Sequence, residues 1–382
     1  MTGVVVLGST GSIGRQTLEV IRAHPDRFSV VGLAGGRGSA ELIEQLAAWP
    51  LARGWCVEGR PAALDRARWA AGGLAELASL DGADVVVVAT TGMAALPAVL
   101  AALTSGRRVA LANKETLVTG GHLVAAALDR LGGDPLDRLR PIDSEHSAIW
   151  QCLLGERLDS VTRLVLTASG GPFRGRSPGQ LGTVTPQEAL AHPTWRMGPK
   201  ITIDSATLVN KAFEAIEARW LYRLPYDRIQ AVIHPQSVVH SLVEFSDGSY
   251  KAQLGLPDMR LPIQYALTYP QRLPSPARHA PPEEWGSLDF ATLEPGQYPA
   301  YDIVRQAAAA GGSRGTILNA ADEVAVAAFL GQAIPFPRIG DVIAEAVERW
   351  ADATEPALDA IVALDAEVRS TLSVELGLGG AA

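Results

Sequence analysis

The chain has 382 residues, more than a single hydrophobic core usually supports, so two or three domains are expected, and a hydrophobic content of 47% suffices to fill them. Its 33 basic and 41 acidic residues give a formal charge of 33 − 41 = −8 with no long basic run, which excludes a nucleic-acid groove or an anionic membrane surface and leaves any anionic substrate to local groups. Cys56 and Cys152, far apart, support neither a disulfide framework nor a thiolate zinc site; with no secretory pattern before Val4 and no apolar stretch of the roughly 20 residues a bilayer requires, the chain reads as cytoplasmic.

Val4 to Leu7 is a short apolar run that ends in Gly8-Ser9-Thr10-Gly11-Ser12-Ile13-Gly14 and passes into a helical pattern carrying Ile13, Leu18 and Ile21. Phe28 to Leu33, the valine run Asp84 to Ala89, and Arg108 to Ala112 follow as strands, with helical patterns between them. Strands alternating with helices predict an α/β chain whose N-terminal part, residues 1–143, is a doubly wound, Rossmann-like domain with a parallel sheet. From residue 144 to 269 the rhythm changes to α+β, with strands at Leu164–Ala168, Ile229–Ile233, Ser237–Phe245 and Ser249–Leu254, the last two joined by an Asp247-Gly248 hairpin turn. Residues 270–299 hold seven of the 25 prolines together with Trp285, Leu288 and Phe290, which predicts a stiff linker laid across the surface. Helical spacing at Asn319–Leu330, Asp341–Trp350 and Leu358–Leu372 predicts a small C-terminal helical domain over residues 300–382.

The first glycine turn follows a strand and opens a helix, the arrangement in which bare backbone and a helix N-terminus receive a pyrophosphate. Its spacing is GxxGxxG, and a purely structural turn is the alternative. At the end of the second strand, where NAD-specific domains carry an acid for the ribose hydroxyls, this chain has Gly35-Gly36-Arg37-Gly38-Ser39. An arginine there pairs with a 2′-phosphate, favouring NADPH; alternatively Arg37 is a solvated surface side chain.

Asp143-Ser144-Glu145, read as extended backbone, sets two carboxylates on one side, and Glu214 lies one helical turn after Asn210. Three carboxylates without histidine or thiolate suit a hard ion, Mg²⁺ or Mn²⁺, with Co²⁺ as a further candidate; such a metal chelates a hydroxyketone and polarises its carbonyl. The competing reading makes Asp143 or Ser144 the cap of a helix from Glu145 to Leu154 and puts Glu214 on a solvated face beside Glu217 and Arg219. Ser169-Gly170-Gly171 after a strand, and Ser205 with Asn210-Lys211 at a helix, offer the hydroxyls, amide, ammonium and backbone that a phosphate needs. The segment His192-Pro193-Thr194-Trp195-Arg196-Met197-Gly198-Pro199 is either a lid that excludes water or a packed surface loop.

Taken together and in order, the glycine turn, Leu111-Ala112-Asn113-Lys114-Glu115-Thr116, Pro141 to His146, Ala168 to Phe173, His192 to Gly198, Asp204 to Thr207, Asn210-Lys211 and Ile233 to Ser237 resemble the 1-deoxy-D-xylulose 5-phosphate reductoisomerase family over nearly the whole chain. The resemblance implies that Thr10, Gly11, Ser12, Ile13, Gly36, Arg37, Asn113, Glu115 and Gly198 contact NADPH and that Asp143, Glu145 and Glu214 hold the metal. It implies that Ser169, His192, Ser205, Asn210 and Lys211 surround a small phosphorylated ketose, that Lys114 and Ser144 lie near its reacting oxygens, and that Trp195 covers its carbon chain. Lys114 joins the three acids as the expected catalytic group, Glu145 and Glu214 are also expected to touch substrate, and residues 144–269 would form the catalytic and dimerisation domain of a homodimer. Two departures stand out: the family usually has asparagine where this chain has Gly38, and asparagine where it has Asp322.

The expected reaction is conversion of 1-deoxy-D-xylulose 5-phosphate to 2-C-methyl-D-erythritol 4-phosphate, a step of isoprenoid synthesis. A plain NADPH dehydrogenase of a phosphorylated polyol is the alternative within enzymes. A catalytically idle NADPH-binding sensor is the alternative outside them.

Overall fold

The structure, a computed structural model, describes residues 1–379. These fall into two compact units: Met1–Thr116, Leu123–Trp150 and Asp258–His279 form one; Leu117–His122, Gln151–Pro257 and the chain from Ala280 onward form the other.

The first unit is built on six strands, β1 (Thr2–Leu7), β2 (Phe28–Gly35), β3 (Arg53–Cys56), β4 (Val85–Val88), β5 (Arg108–Leu111) and β6 (Leu139–Pro141). All pair in parallel, in the order β3-β2-β1-β4-β5-β6. A parallel sheet covered on both faces needs apolar side chains on both, and β1 and β4 supply Val4 to Leu7 and Val85 to Val88, all fully buried. The strand order reverses between β1 and β4, and it is at the carboxyl ends of such a pair that doubly wound sheets bind nucleotides.

Residues 258–279 return to this unit. The helix Arg260–Thr268 places Ile263, Ala266 and Leu267 in the same core as β1 and β4, and Arg140 Nη1 donates to the Ala266 carbonyl at 2.9 Å. Its apolar face has the 3.6-residue period of any core helix, so nothing in the sequence says which core it joins.

The second unit holds five strands, β7 (Val161–Ala168), β8 (Ile229–Ile233), β9 (Val239–Phe245), β10 (Tyr250–Leu254) and β11 (Ala291–Thr292), in the order β10-β9-β7-β8-β11. β7 and β8 run parallel and the other neighbours are antiparallel. The β9–β10 hairpin turns at Gly248, φ +84°, where Asp247 Oδ1 accepts from Ser249 N–H at 2.9 Å. Within the proline-rich stretch, Phe290 stacks on His234 with ring centroids 4.6 Å apart, just before β11 adds an edge to β8.

Helices Pro199–Thr207 and Val209–Tyr222 are separated only by Leu208, a buried residue at φ 58°. They pack with helices Pro299–Ala310, Arg314–Leu330, Arg338–Trp350 and Leu358–Glu375 around one core containing Ile203, Phe213, Ile317 and Phe329. Lys200 Nζ lies 2.6 Å from Asp204 Oδ2 and 2.6 Å from Asp322 Oδ2, so two buried carboxylates share one partly exposed ammonium. No helix among the described residues is long and apolar enough to cross a membrane.

Candidate active site

In the first unit, the turn after β1 owes its shape to two glycines. Gly8 has φ +89°, and a Cβ on it would lie 2.4 Å from the Ala89 carbonyl oxygen at the end of β4. A Cβ on Gly14 would lie 2.2 Å from the Gly8 oxygen, so only glycine lets helix Ser12–Ala23 start this close to the strand. Thr10, Gly11, Ser12 and Ile13 therefore sit at the N-terminus of a helix at the switch point, where backbone N–H groups favour an anion.

β5 ends at Leu111, and Asn113 follows it. Its Nδ2 reaches the carbonyls of Thr90 and Gly92, both at 2.9 Å, and Glu115 Oε2 at 2.9 Å, while its Oδ1 accepts from Thr116 N–H at 2.9 Å. One amide thus ties the loop after β4 to the start of helix Glu115–Leu131. The next residue, Lys114, pairs through Nζ with Asp143 Oδ2, with both side chains 12% exposed.

Asp143 directly precedes helix Ser144–Leu153, and its carbonyl accepts from Ser147 N–H at 2.8 Å. The expected extended Asp143-Ser144-Glu145 is therefore corrected: the helical alternative holds, because an acid in the first turn is stabilised by the helix dipole. Glu145 sits in that turn and accepts from Ser144 Oγ at 2.5 Å. Gly36 and Arg37 lie in the connection after β2, with the Arg37 side chain 86% exposed.

In the second unit, the turn after β7 carries Ser169, then Gly170 at φ +85° and Gly171 at φ +65°. A Cβ on Gly171 would lie 2.6 Å from the Ser205 carbonyl oxygen, so this turn rests directly on the helix that bears Ser205. His192 joins the two. Its Nδ1 accepts from Thr194 N–H at 3.1 Å and Trp195 N–H at 2.9 Å, which assigns the proton to Nε2, and Nε2 faces Ser169 Oγ at 3.0 Å and Ser205 Oγ at 3.1 Å. Burial holds the imidazole below its usual range, so the neutral ring is the working form.

One residue past Leu208 the next helix presents Asn210, Lys211 and Glu214. Asn210 Nδ2 donates to Glu214 Oε1 at 2.6 Å, and Lys211 Nζ pairs with Glu214 Oε2, with those side chains 3% and 1% exposed. The solvated-face reading of Glu214 is thereby excluded. Trp195 lies in the segment His192–Pro199, its ring centroid 6.5 Å from that of His240, and Gly198 precedes helix Pro199–Thr207.

Asp143 and Glu145 in the first unit and Glu214 in the second each offer oxygen donors only, the kind a hard divalent cation takes, and Asp143 and Glu214 each pair with an ammonium group. A thiolate alternative fails: both cysteines are buried, and burial pushes the Cys152 thiol up to about 11. Three contributors escaped the sequence reading. Arg174 Nη1 donates to the Ser169 carbonyl at 3.1 Å, Tyr298 OH donates to the Gly170 carbonyl at 2.9 Å, and Leu208 makes the joint. A phenylalanine-arginine pair after the Ser-Gly-Gly turn was the one visible hint of the first.

The comparisons agree along the chain. Residues 4–121 match the model for 1-deoxy-D-xylulose 5-phosphate reductoisomerase, residues 139–222 the model for its C-terminal domain, and residues 254–371 the DXP reductoisomerase C-terminal domain. The 1-deoxy-D-xylulose 5-phosphate reductoisomerase of Pelotomaculum thermopropionicum is 47% identical over 388 residues, 97% of each chain, and that of Thermus thermophilus 48% identical over 97% of this chain and 98% of its own. The Zymomonas mobilis enzyme, solved with NADPH, superposes with a TM-score of 0.88 at 38% identity over 98% of this chain and 99% of that one. A DOX-P reductoisomerase solved with NADPH, fosmidomycin and magnesium gives a TM-score of 0.91 at 36% identity over 99% of both. With relatives this similar spanning it from end to end, the chain belongs to the 1-deoxy-D-xylulose 5-phosphate reductoisomerase family.

Proposed function

We propose that this chain converts 1-deoxy-D-xylulose 5-phosphate to 2-C-methyl-D-erythritol 4-phosphate with NADPH and Mg²⁺ or Mn²⁺. The observation that carries the reading is the His192 hub, where one neutral imidazole holds two serine hydroxyls together with two bare glycines beside them. Hydroxyls, a glycine turn and the Lys211 ammonium on the next helix are suited to a phosphate monoester and to little else.

In this reading Ser169, His192, Ser205, Asn210 and Lys211 grip the phosphate, Trp195 covers the carbon chain, and Lys114 and Ser144 face the reacting oxygens. Asp143, Glu145 and Glu214 hold the metal, and Glu145 and Glu214 thereby also meet the substrate. Thr10, Gly11, Ser12, Ile13, Gly36, Arg37, Asn113, Glu115 and Gly198 contact NADPH. When bound, the metal would supply Lewis-acid polarisation of the substrate carbonyl and NADPH would supply the hydride. Lys114 pairs its ammonium with Asp143 and so orients that carboxylate.

The enzyme works as a cytoplasmic homodimer in this proposal, which the two free buried cysteines and the exposed edge strand β10 support. Incubation with substrate, NADPH and Mn²⁺ followed by NMR of the product tests the function. A branched polyol phosphate is expected. An unbranched one reassigns the chain as a plain dehydrogenase, and no NADPH oxidation makes it a sensor.

A further inference from the structure

The loop that presents Arg37 contains a charge of the opposite sign. Glu58, just past the end of β3, places Oε1 4.0 Å from Arg37 Nε, and its Oε2 accepts from the Gly38 N–H at 3.2 Å. Val57 N–H also reaches the Gly36 carbonyl at 3.3 Å, so the segment carrying Glu58 is tied to the loop by backbone. A Cβ on Gly38 would lie 3.1 Å from Pro61 Cγ, so a side chain there would require the proline ring to give way.

In a doubly wound sheet the end of the second strand meets the adenosine ribose, where an acid selects the free hydroxyls and an arginine selects the 2′-phosphate. This chain presents both at once. A 2′-phosphate brought to Arg37 meets the Glu58 carboxylate as a like charge, and Glu58 must leave Arg37 and release Gly38 N–H to admit it. Unphosphorylated ribose asks for no such movement, because its hydroxyls donate to the carboxylate where it stands. The Glu58 side chain is 60% exposed, so its movement disrupts little packing, and its effect is electrostatic.

We infer that Glu58 is a specificity-determining residue that narrows the preference for NADPH and admits NADH as a second hydride donor to the same reaction. The inference rests on the reading that Arg37 receives the 2′-phosphate. A merely structural Glu58 would serve only as the acceptor for Gly38 N–H, and a glutamine would serve equally well.

The test compares kcat/KM for NADPH and for NADH, at saturating substrate and Mg²⁺, in the wild type, Glu58→Gln, Glu58→Ala and Arg37→Gln, with the melting temperature of each as a fold check. Turnover with NADH is expected in the wild type. Glu58→Gln should raise the NADPH to NADH ratio about 5-fold, mostly through cofactor KM, the size that two charges a few ångströms apart produce near solvent. That gain should shrink in roughly 0.5 M salt, where exposed charges are screened. Arg37→Gln should collapse the ratio. If Arg37→Gln collapses it while Glu58→Gln and Glu58→Ala leave it unchanged, Glu58 is only a loop tie and the inference fails with the Arg37 reading intact. If Arg37→Gln also leaves the ratio unchanged, the 2′-phosphate lies elsewhere and both readings fail together.

Discussion

Replacing Glu214 by glutamine separates the two roles that the buried carboxylate combines. Its partner Lys211 is 3% exposed and Glu214 itself 1%, so the pair exchanges charge where water cannot compensate. Glutamine keeps an oxygen for Asn210 Nδ2, now 2.6 Å from Glu214 Oε1, but removes the negative charge that offsets the Lys211 ammonium. Removing one partner of a buried pair costs about 3–5 kcal/mol, and the retained amide contact places this variant near about 3 kcal/mol. For a chain of 382 residues that corresponds to a melting temperature lower by about 4 °C. Changing Lys211 to methionine as well leaves two neutral groups and should restore more than half of the loss. Turnover should recover in neither variant: the loss should be at least roughly 100-fold, since even groups standing behind metal ligands are worth 10- to 100-fold. The assay is calorimetric melting in EDTA, paired with NADPH oxidation at saturating Mg²⁺. A glutamine variant that melts and turns over like the wild type would refute both the buried pairing and the ligand role; a double variant that fails to regain stability would show that the pair is not the source of the loss.

His192→Asn keeps an acceptor for the Thr194 and Trp195 N–H groups but loses the ring nitrogen between Ser169 and Ser205, and with about one hydrogen bond's worth of binding lost, substrate KM should rise about 5- to 10-fold in NADPH-oxidation kinetics. Burial lowers the His192 pKa in the folded state, so the unfolded chain takes up the proton first: the stability from the neutral ring is present above about pH 6.5 and lost as pH falls toward the depressed value. Melting curves from pH 8 to 5 should therefore have a flatter acid limb in the asparagine variant. Asp322 has the opposite sign, because desolvation raises its folded pKa despite Lys200, with Asp204 and Glu323 nearby; its contribution is present below the unfolded carboxyl range and fades as pH rises through the raised value. Asp322→Asn should thus gain more in melting temperature at pH 8 than at pH 5, and an equal change at both would remove the argument. Gly171→Ala forces a Cβ to within 2.6 Å of the Ser205 oxygen at φ +65°, and the expected cost of about 1–3 kcal/mol should appear as a lower melting temperature together with a raised substrate KM.

Where a local pattern had only one physical solution, it could be read from the chain. Val4 to Leu7 and Val85 to Val88 are apolar on every residue because both sheet faces are covered, and Gly8, Gly14 and Gly248 stand where a side chain is excluded or strained. β3, Arg-Gly-Trp-Cys, and β6, Leu-Arg-Pro, are too short and mixed to show a period, and helix Pro299–Ala310 follows a proline run that masks its start. The return of Asp258–His279 to the first unit depends on which of two apolar cores the helix meets, a matter of tertiary fit. At the site, Lys211 and Glu214 three apart and Lys200 and Asp204 four apart follow helical spacing and were legible in principle. The pairing of Lys114 with Asp143 joins residues 29 apart, and Asp322 reaches Lys200 from another helix, so neither has a local signature.

Leu208 has a consequence for how this protein can change. A non-glycine residue in the left-handed region stores about 1 kcal/mol or more, and here it replaces a connecting loop between Ser205 and Asn210. The groups proposed to grip the phosphate and the carboxylate proposed to meet the metal are therefore rigidly coupled across a single residue. Insertions at that point would rotate one helix against the other and misalign both sets at once. New substrates must therefore be reached by exchanging side chains around a fixed frame.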